Sequence, residues 1–207
     1  MNPARGRFIS LEGIDGAGKS THLPALVHWL TQRGRRVVQT REPGGTALGE
    51  ALRQLLLHQD MSVEAETLLL FAARAQLVQQ VIVPALEQGQ WVVSDRFTDA
   101  SFAYQQGGRG VACAHLEFLE DWVVEGLQPD LTFLFDLDPA TAQQRLQRAG
   151  PELDRFEQQG GTFFERVRAA YLERANRHAA RFCLLPAAQA PNQLWALMEQ
   201  ELAQRFP

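Results

Sequence analysis

The 207-residue sequence contains little cysteine, little histidine and no long apolar run. Its two cysteines, Cys113 and Cys183, are far apart and form no CxxC or Cys/His cluster, which fits structural burial in a reducing cytosol. The five histidines form no HExxH or His-x-His pair, so a metal bound by imidazole is not expected. Because no apolar run approaches about 18 residues and no apolar signal core begins the chain, we expect a cytoplasmic protein without a membrane segment.

Positive charge is also scarce. The formal net charge is −4 and the isoelectric point is near 5.7, which argues against binding a nucleic acid polymer through a basic surface. Any phosphate must therefore be bound by local groups. Among the 20 basic residues the only lysine is Lys19, at a place where a compact, flexible ammonium is more suitable than a planar guanidinium.

Short apolar runs alternate with amphipathic stretches, a pattern that predicts an α/β fold with a five-stranded parallel sheet flanked by helices. We expect the strands at Phe8–Leu11, Arg36–Thr40, Trp91–Asp95, Leu131–Asp136 and Phe182–Leu185. We expect the helices at Lys19–Arg33, Ala47–His58, Val63–Gln88, Ala114–Gly126, Pro139–Arg148, Thr162–Arg181 and Pro191–Phe206. The segment Ala149–Gly161 interrupts this pattern and is expected to be a surface excursion between two helices.

Residues Gly13–Ser20 read GIDGAGKS and match the pattern GxxxxGK[ST] in full. The motif follows an apolar strand and opens an amphipathic helix, which is the context that a phosphate-binding loop requires. Its glycines allow backbone N–H groups to turn toward a phosphate, and the helix N-terminus adds partial positive charge. Lys19 is expected to bridge phosphate oxygens and the Ser20 hydroxyl to ligate Mg²⁺. The sequence therefore predicts a nucleoside triphosphate site.

The loop alone does not distinguish a switch, a motor and a kinase. A guanine-nucleotide switch would carry an Asn-Lys-x-Asp motif, but none of the three asparagines is followed by lysine. A phosphotransferase needs a second pocket, and Asp95-Arg96 follows a strand whose carboxyl end should face the same crevice. Arg96 suits bidentate binding of a phosphate, although a surface ion pair is the alternative. Asp95 competes with Asp136 as the carboxylate near the metal, and the adjacent arginine favours Asp95.

The ordered motifs of the chain resemble those of bacterial thymidylate kinases. The resemblance covers essentially the whole chain and rests on Gly13–Ser20, Thr40–Gly45, Asp95–Phe97, Ser101–Gln105 and Asp154–Glu157. It implies a single P-loop nucleoside monophosphate kinase domain over residues 1–207, with the P-loop NTPase fold and a small lid at about 145–161. It further implies ATP as phosphoryl donor with Mg²⁺, dTMP as acceptor and a homodimer.

The resemblance also implies a role for individual residues. The ATP site would comprise Gly13, Ile14, Asp15, Gly16, Ala17, Gly18, Lys19, Ser20, Thr21 and Arg145, with Ser20 and Asp95 near the metal. The dTMP site would comprise Asp15, Glu42, Pro43, Arg53, Phe71, Arg74, Arg96, Ser101, Tyr104 and Gln105. In it, Arg96 would hold the phosphate, Arg74 and Gln105 would contact the thymine edge, and Tyr104 would lie under the deoxyribose. From the residues alone, Arg74 could also be solvated and Tyr104 could be core packing.

Two positions depart from the expected pattern. In the family the aromatic residue that stacks on thymine lies four residues before the base-contacting arginine, where this chain has Leu70, with Phe71 one residue later. Either the helix start is adjusted or the two residues share the task. Asp15 is followed by Gly16 and not by an arginine, so the catalytic arginine is expected in the lid. The catalytic set is then Asp15, Lys19, Arg96, Arg148 and Arg155.

Two other functions remain open at this stage. A deoxynucleoside kinase would accept an uncharged hydroxyl and would have little use for Arg96 as a phosphate ligand. A non-catalytic ATP-binding switch would lack a second pocket lined by arginines.

Overall fold

The computed structural model describes residues 5–149, 155–156 and 159–207. Of the motif at residues 154–157, Asp154 and Glu157 lie outside these ranges, as do residues 150–153 of the predicted surface segment. The side chains of Arg155 and Phe156 lie within them.

A five-stranded parallel sheet forms the centre of the molecule, as predicted. Its strands are β1 (Phe8–Glu12), β2 (Val37–Arg41), β3 (Trp91–Asp95), β4 (Leu131–Asp136) and β5 (Phe182–Pro186), arranged in the order β2-β3-β1-β4-β5. The central strand β1 is buried along its whole length, which explains its continuous apolar sequence. Glu12 ends this strand, and its burial is an exception that bears on the site below.

Helices flank the sheet. The helical segments are α1 (Lys19–Gln32), α2 (Ala47–His58), α3 (Val63–Leu77), α4 (Val83–Glu87), α5 (Thr98–Ser101), α6 (Cys113–Val124), α7 (Pro139–Ala149), α8 (Gly161–Arg177) and α9 (Pro191–Arg205). Two π-helical segments extend them, Val78–Ile82 between α3 and α4 and Phe102–Gly108 after α5.

The helix predictions were wrong in three places. The helix expected over Val63–Gln88 contains the π-helical segment, and the one expected to reach Arg181 ends at Arg177. The helical stretch from Thr98 to Gly108 was not predicted at all. It is short and closes on two glycines, so local propensity gives it little support, and its packing against α8 stabilises it instead.

Within the described residues one helical stretch, Val63–Glu87, is long and apolar enough by composition to cross a membrane. Its side chains Phe71, Leu77, Ile82 and Leu86 are buried in the core of this fold. Packing inside the protein therefore accounts for its apolar sequence.

The strand order brings the two predicted functional segments together. β1 and β3 are neighbours, and Leu11 is paired with Asp95 at their carboxyl ends. The backbone N–H of Arg96 donates to the Leu11 carbonyl at 3.0 Å. The segment after β3 is thereby attached to the strand that leads into the Gly13–Ser20 loop, so both lie at one edge of the sheet.

Candidate active site

The Gly13–Ser20 loop uses glycine where the backbone and its surroundings require it. Gly13 and Gly16 have φ angles of 135° and 79°. A Cβ atom at Gly13 would lie 2.5 Å from the Phe135 carbonyl oxygen, and one at Gly16 would lie 2.6 Å from the Ala142 carbonyl oxygen. The loop therefore approaches β4 and α7 with bare backbone. Since position 16 has no room for a Cβ atom, we do not expect an arginine introduced there to replace a lid arginine.

Lys19 is buried at the start of α1. Its ammonium donates to the carbonyl oxygens of Gly13 at 3.0 Å and Ile14 at 3.2 Å, which places it across the loop. Burial lowers the pKa of Lys19 and the nearby Arg96 lowers it further, while Asp15 opposes this shift. The contacts show that the ammonium serves the loop and not the hydrophobic core.

An open groove with about 1460 Å³ of empty space runs along the loop. The predicted ATP-site residues that line it are Asp15, Gly16, Ala17, Gly18, Lys19, Ser20, Thr21 and Arg145. Gly13 and Ile14 do not line the groove and instead present their carbonyls to Lys19. Arg145 extends from α7 across the groove wall and donates to the Ala187 carbonyl at 3.0 Å.

Arg96 is at the centre of a cluster of polar side chains beside the loop. Its guanidinium contacts Asp15 Oδ1 at 2.6 Å, the Gly13 carbonyl at 3.0 Å and the Tyr104 hydroxyl at 3.0 Å. The Tyr104 hydroxyl in turn donates to Asp15 Oδ2 at 2.8 Å. Burial by itself would raise the pKa of Asp15, but Arg96 and Lys19 outweigh it and lower that pKa to about 2. Asp15 is therefore an ionised carboxylate at neutral pH.

Two residues that the sequence analysis missed support Arg96. The backbone of Arg96 has a φ of 72°, a strained value for a residue other than glycine. The next backbone N–H, of Phe97, donates to Glu12 Oε1 at 2.6 Å, and Tyr171 donates to Glu12 Oε2 at 2.7 Å while accepting from Arg96 at 2.9 Å. A glutamate that ends a fully buried strand is the signal that could have identified Glu12. Tyr171 lies in α8, and no local pattern marks it.

A second, smaller cavity with about 580 Å³ of empty space lies next to Arg96. Nine of the ten residues predicted for the acceptor line it, namely Asp15, Glu42, Pro43, Arg53, Arg74, Arg96, Ser101, Tyr104 and Gln105. Four residues line both this acceptor cavity and the groove, namely Asp15, Glu42, Arg53 and Arg96. The two spaces therefore meet at the Arg96 cluster.

Arg74 is buried at the inner end of the acceptor cavity. It donates to Glu42 Oε2 at 2.8 Å, to Ser101 Oγ at 3.0 Å and to the Phe97 carbonyl at 3.3 Å. Its Nη1 atom is buried and has no hydrogen-bond partner in the described parts of the chain. Burial raises the pKa of Glu42, and the contact with Arg74 opposes that shift. The alternative of a solvated Arg74 is thus wrong, because only 2% of it is exposed.

The structure brings Leu70, and not Phe71, to the acceptor cavity. Phe71 packs in the core with Phe102 and Leu116, and its ring lies 4.5 Å from the Arg74 guanidinium carbon. The placement of Phe71 among the acceptor residues is therefore corrected, because α3 turns this side chain inward. Tyr104 has two roles. Its ring is buried, and its hydroxyl forms hydrogen bonds with Arg96 and Asp15.

Asp95 and Asp136 have different surroundings, although both end strands. Asp136 binds Arg168 through both carboxylate oxygens, at 2.5 and 2.8 Å. Asp95 lines the groove together with Ser20, and its buried Oδ1 atom has no partner among the residues that the structure describes. An unpaired buried carboxylate oxygen beside a phosphate loop fits a cation bound mainly by phosphates and water. No cluster of three or more His, Cys, Asp or Glu residues that could hold a metal ion occurs in the described ranges.

The predicted lid arginines are not assembled over the loop. Arg148 is exposed in the last turn of α7. Arg155 forms a 2.7 Å ion pair with Glu66 and donates to the Leu56 carbonyl at 3.1 Å, on the acceptor side of the site. Arg145, the ATP-site arginine at the start of the predicted lid, lines the groove, whereas Arg148 and Arg155 do not.

Comparison with known proteins identifies the family of this chain. The sequence profile described as Thymidylate kinase matches residues 11–196. A thymidylate kinase from Thiobacillus denitrificans is 57% identical over 184 residues, covering 89% of this chain and 90% of that protein. One from Paraburkholderia xenovorans is 53% identical over 204 residues, covering 97% and 98%. The crystal structure of thymidylate kinase from Ehrlichia chaffeensis superposes with a TM-score of 0.78 at 31% identity, covering 96% of this chain and 99% of that one. With both the sequence and the fold shared over nearly its full length, the chain belongs to the thymidylate kinase family.

Proposed function

We propose that dTMP occupies the acceptor cavity and ATP the groove, and that the γ-phosphoryl group passes between them beside Arg96. The reaction itself follows from the family: the chain transfers the γ-phosphoryl group of ATP to dTMP and forms dTDP and ADP. The observation that carries the placement is the Arg96 cluster, which lies where the two spaces meet. A cationic group at this point can hold the acceptor phosphate and face the transferred group at once.

The chemistry that these residues support is positioning and charge stabilisation. The acceptor phosphate is already ionised at pH 7, so an in-line attack on the γ-phosphorus needs no strong base and no covalent intermediate. Lys19 and the loop amides would stabilise the charge that spreads over the transferred group. Asp15 would orient Arg96 and Tyr104, since it contacts both side chains.

We further propose that Ser20 and Asp95 hold Mg²⁺ with the ATP phosphates. Bound there, the cation would neutralise phosphate charge during the transfer. The unpaired Asp95 oxygen supports this assignment, and the pairing of Asp136 with Arg168 argues against the alternative carboxylate.

A coupled ADP-release assay with a panel of acceptors tests the placement. We expect dTMP to be used far better than dCMP, AMP or GMP, because the inner end of the cavity presents fixed polar groups that would be left unpaired by another base. Turnover of thymidine equal to that of dTMP would indicate a deoxynucleoside kinase. Binding of ATP without turnover of any acceptor would indicate a switch.

The role of the lid stays a proposal. We propose that the chain is one domain and that a lid arginine, Arg148 or Arg155, reaches the phosphates during the transfer. The glycine at position 16 supports this, because the loop itself cannot supply an arginine there. Alanine at Arg148 or Arg155 should then lower kcat with little change in dTMP affinity.

We also propose that the enzyme is a cytoplasmic homodimer. Both cysteines are free, which fits a reducing compartment. Leu68, Phe118 and Trp122 lie on α3 and α6 and are 57%, 66% and 69% exposed, an apolar face suited to a second copy. Sedimentation velocity of Trp122→Lys should show a monomer where the native protein sediments as a dimer.

A further inference from the structure

Glu66 is a buried carboxylate of α3 that lies behind the acceptor cavity. It is 1% exposed and lines neither the acceptor cavity nor the groove. Its Oε1 atom accepts from Gln105 Nε2 at 3.0 Å. Its Oε2 atom faces two cations, Arg155 at 2.7 Å and Arg109 at 3.4 Å. Burying a carboxylate is costly unless it is paired in this way, so the arrangement is held by all three partners.

The contact with Glu66 determines which end of the Gln105 amide faces the cavity. A side-chain amide can turn either its oxygen or its NH₂ group toward a neighbour, but an ionised carboxylate only accepts hydrogen bonds. The NH₂ group of Gln105 must therefore point at Glu66. The carbonyl oxygen is the part of the amide that remains for the acceptor cavity, which Gln105 lines.

Arg74 and Gln105 both line the acceptor cavity, so together they would offer a bound base one donor and one acceptor. The donor is the buried Nη1 atom of Arg74, which has no partner within the described ranges. The acceptor is the carbonyl oxygen of Gln105. Together they match a pyrimidine edge that has a carbonyl oxygen next to an N–H group. A cytosine edge has the reverse order, an amino group next to an unprotonated ring nitrogen, and would meet both groups with the wrong polarity.

We propose that Glu66 is a specificity-determining positioning residue, which fixes the amide of Gln105 so that the cavity selects a pyrimidine carrying a proton on N3. This inference rests on the proposed placement of dTMP in the acceptor cavity. Glu66 acts only through Gln105, because it is sealed from the cavity itself. Without its carboxylate, Gln105 can turn its NH₂ group toward the base and accommodate the unprotonated N3 of dCMP.

The test compares kcat/KM for dTMP and dCMP in Glu66→Gln. The variant is isosteric, but its amide can bond to either end of Gln105 and so no longer selects one orientation. We expect the dTMP-to-dCMP ratio to fall on the order of tenfold, the value of about one hydrogen bond, with an unchanged KM for ATP. Glu64→Gln makes the same chemical change at an exposed position of the same helix and should leave the ratio unaltered.

A double variant shows whether the effect passes through Gln105. In a Gln105→Leu background there is no amide to orient, so adding Glu66→Gln should not change the ratio further. An unchanged ratio in the single variant, or an equal further fall in the double variant, overturns the inference. If Glu66→Gln does not fold, Glu66→Asp decides in its place, because it retains the charge but withdraws from Gln105. If the native enzyme prefers another acceptor over dTMP, the proposed placement fails instead.

Discussion

The phosphate loop and the acceptor cavity are built in different ways. The loop is one continuous segment, and its contacts are local and mainly with backbone atoms, such as those of Lys19 to Gly13 and Ile14. The acceptor cavity is made from side chains of separate elements, held by ion pairs such as Arg74–Glu42 and Arg96–Asp15. A site made from one continuous segment, such as the loop, depends on the spacing of residues along the sequence. A site made from separate elements, such as the acceptor cavity, depends on the fold that brings its residues together.

The two regions should therefore fail differently when they are altered. A change in the loop should remove charge stabilisation and reduce the rate while binding of dTMP persists. A change in the acceptor cavity should affect the binding of one substrate more than the other. Arg96 lies at the boundary between the loop and the acceptor cavity, because it contacts the loop carbonyl of Gly13 as well as the residues of the cavity.

The largest effect is expected at Lys19. Lys19→Met removes the ammonium that crosses the loop, so kcat should fall roughly 10²- to 10³-fold, as for loss of one preorganised charge-stabilising group. Steady-state kinetics and calorimetric titration of dTMP measure the two quantities separately. We expect the affinity for dTMP to stay within about twofold of the native value, since Lys19 does not line the acceptor cavity.

The thermal unfolding midpoint of Lys19→Met serves as the control for folding. A variant that is folded and retains native kcat would contradict the assigned role of the loop. A variant that loses dTMP affinity as strongly as it loses rate would show that the two regions are not separable.

A smaller effect is expected at Arg96. Arg96→Ala removes a charge-assisted contact to the acceptor phosphate, so the free energy of dTMP binding should weaken by about 1.5–3 kcal/mol. ATP binding should weaken less, because Arg96 reaches the groove only at its junction with the cavity. Calorimetry with each nucleotide gives the difference.

Arg168→Ala is the matched control, because it removes a guanidinium that pairs with Asp136 and lines neither space. It should leave both affinities near their native values. Equal losses for ATP and dTMP in Arg96→Ala would mean that Arg96 belongs to the loop and not to the acceptor cavity.

The same contrast explains how much was predictable from the sequence. All five strands and the phosphate loop were predicted correctly, because buried strands and the GxxxxGK[ST] spacing leave a local pattern. The acceptor residues were named through the resemblance to a family, and nine of the ten line one cavity. From composition or periodicity alone, Arg74 and Tyr104 could not have been separated from ordinary helix residues.

The errors occur where tertiary contacts override local pattern. Phe71 and Leu70 are adjacent in one apolar run, and only the rotation of α3 decides which of them faces the cavity. Arg155 pairs with Glu66 on the acceptor side in this structure, so its predicted approach to the phosphates stays a proposal. Glu12, Glu66 and Tyr171 were missed because they act through other residues. A residue in such a supporting role has no characteristic spacing from the motif residues in the sequence.

The smallest effect is expected at Glu12, which accepts hydrogen bonds from the Phe97 N–H and the Tyr171 hydroxyl beside Arg96. Burial, reinforced by the charge of Asp99, raises the pKa of Glu12 from 4.5 to about 8, against the opposing influence of Arg96, Tyr171 and the Phe97 N–H. Between those two values the folded protein keeps a proton that the unfolded chain has released. The unfolded state then binds fewer protons than the folded state, so stability must fall as pH rises through this interval.

Glu12→Gln removes this titration while keeping the shape of the side chain. The stability of the native protein relative to Glu12→Gln should therefore decline by about 1–2 kcal/mol between pH 5.5 and pH 8.5, less than the full shift implies because the site relaxes as it becomes charged. Urea unfolding at both values measures the difference, and the other titrating groups cancel because both proteins share them. Glu87→Gln, an exposed change of the same kind, should show no such trend. A difference that stays constant with pH would mean that Glu12 is already ionised in the folded state. Glu12 would then support Arg96 as a charged partner, in addition to the carboxylate of Asp15.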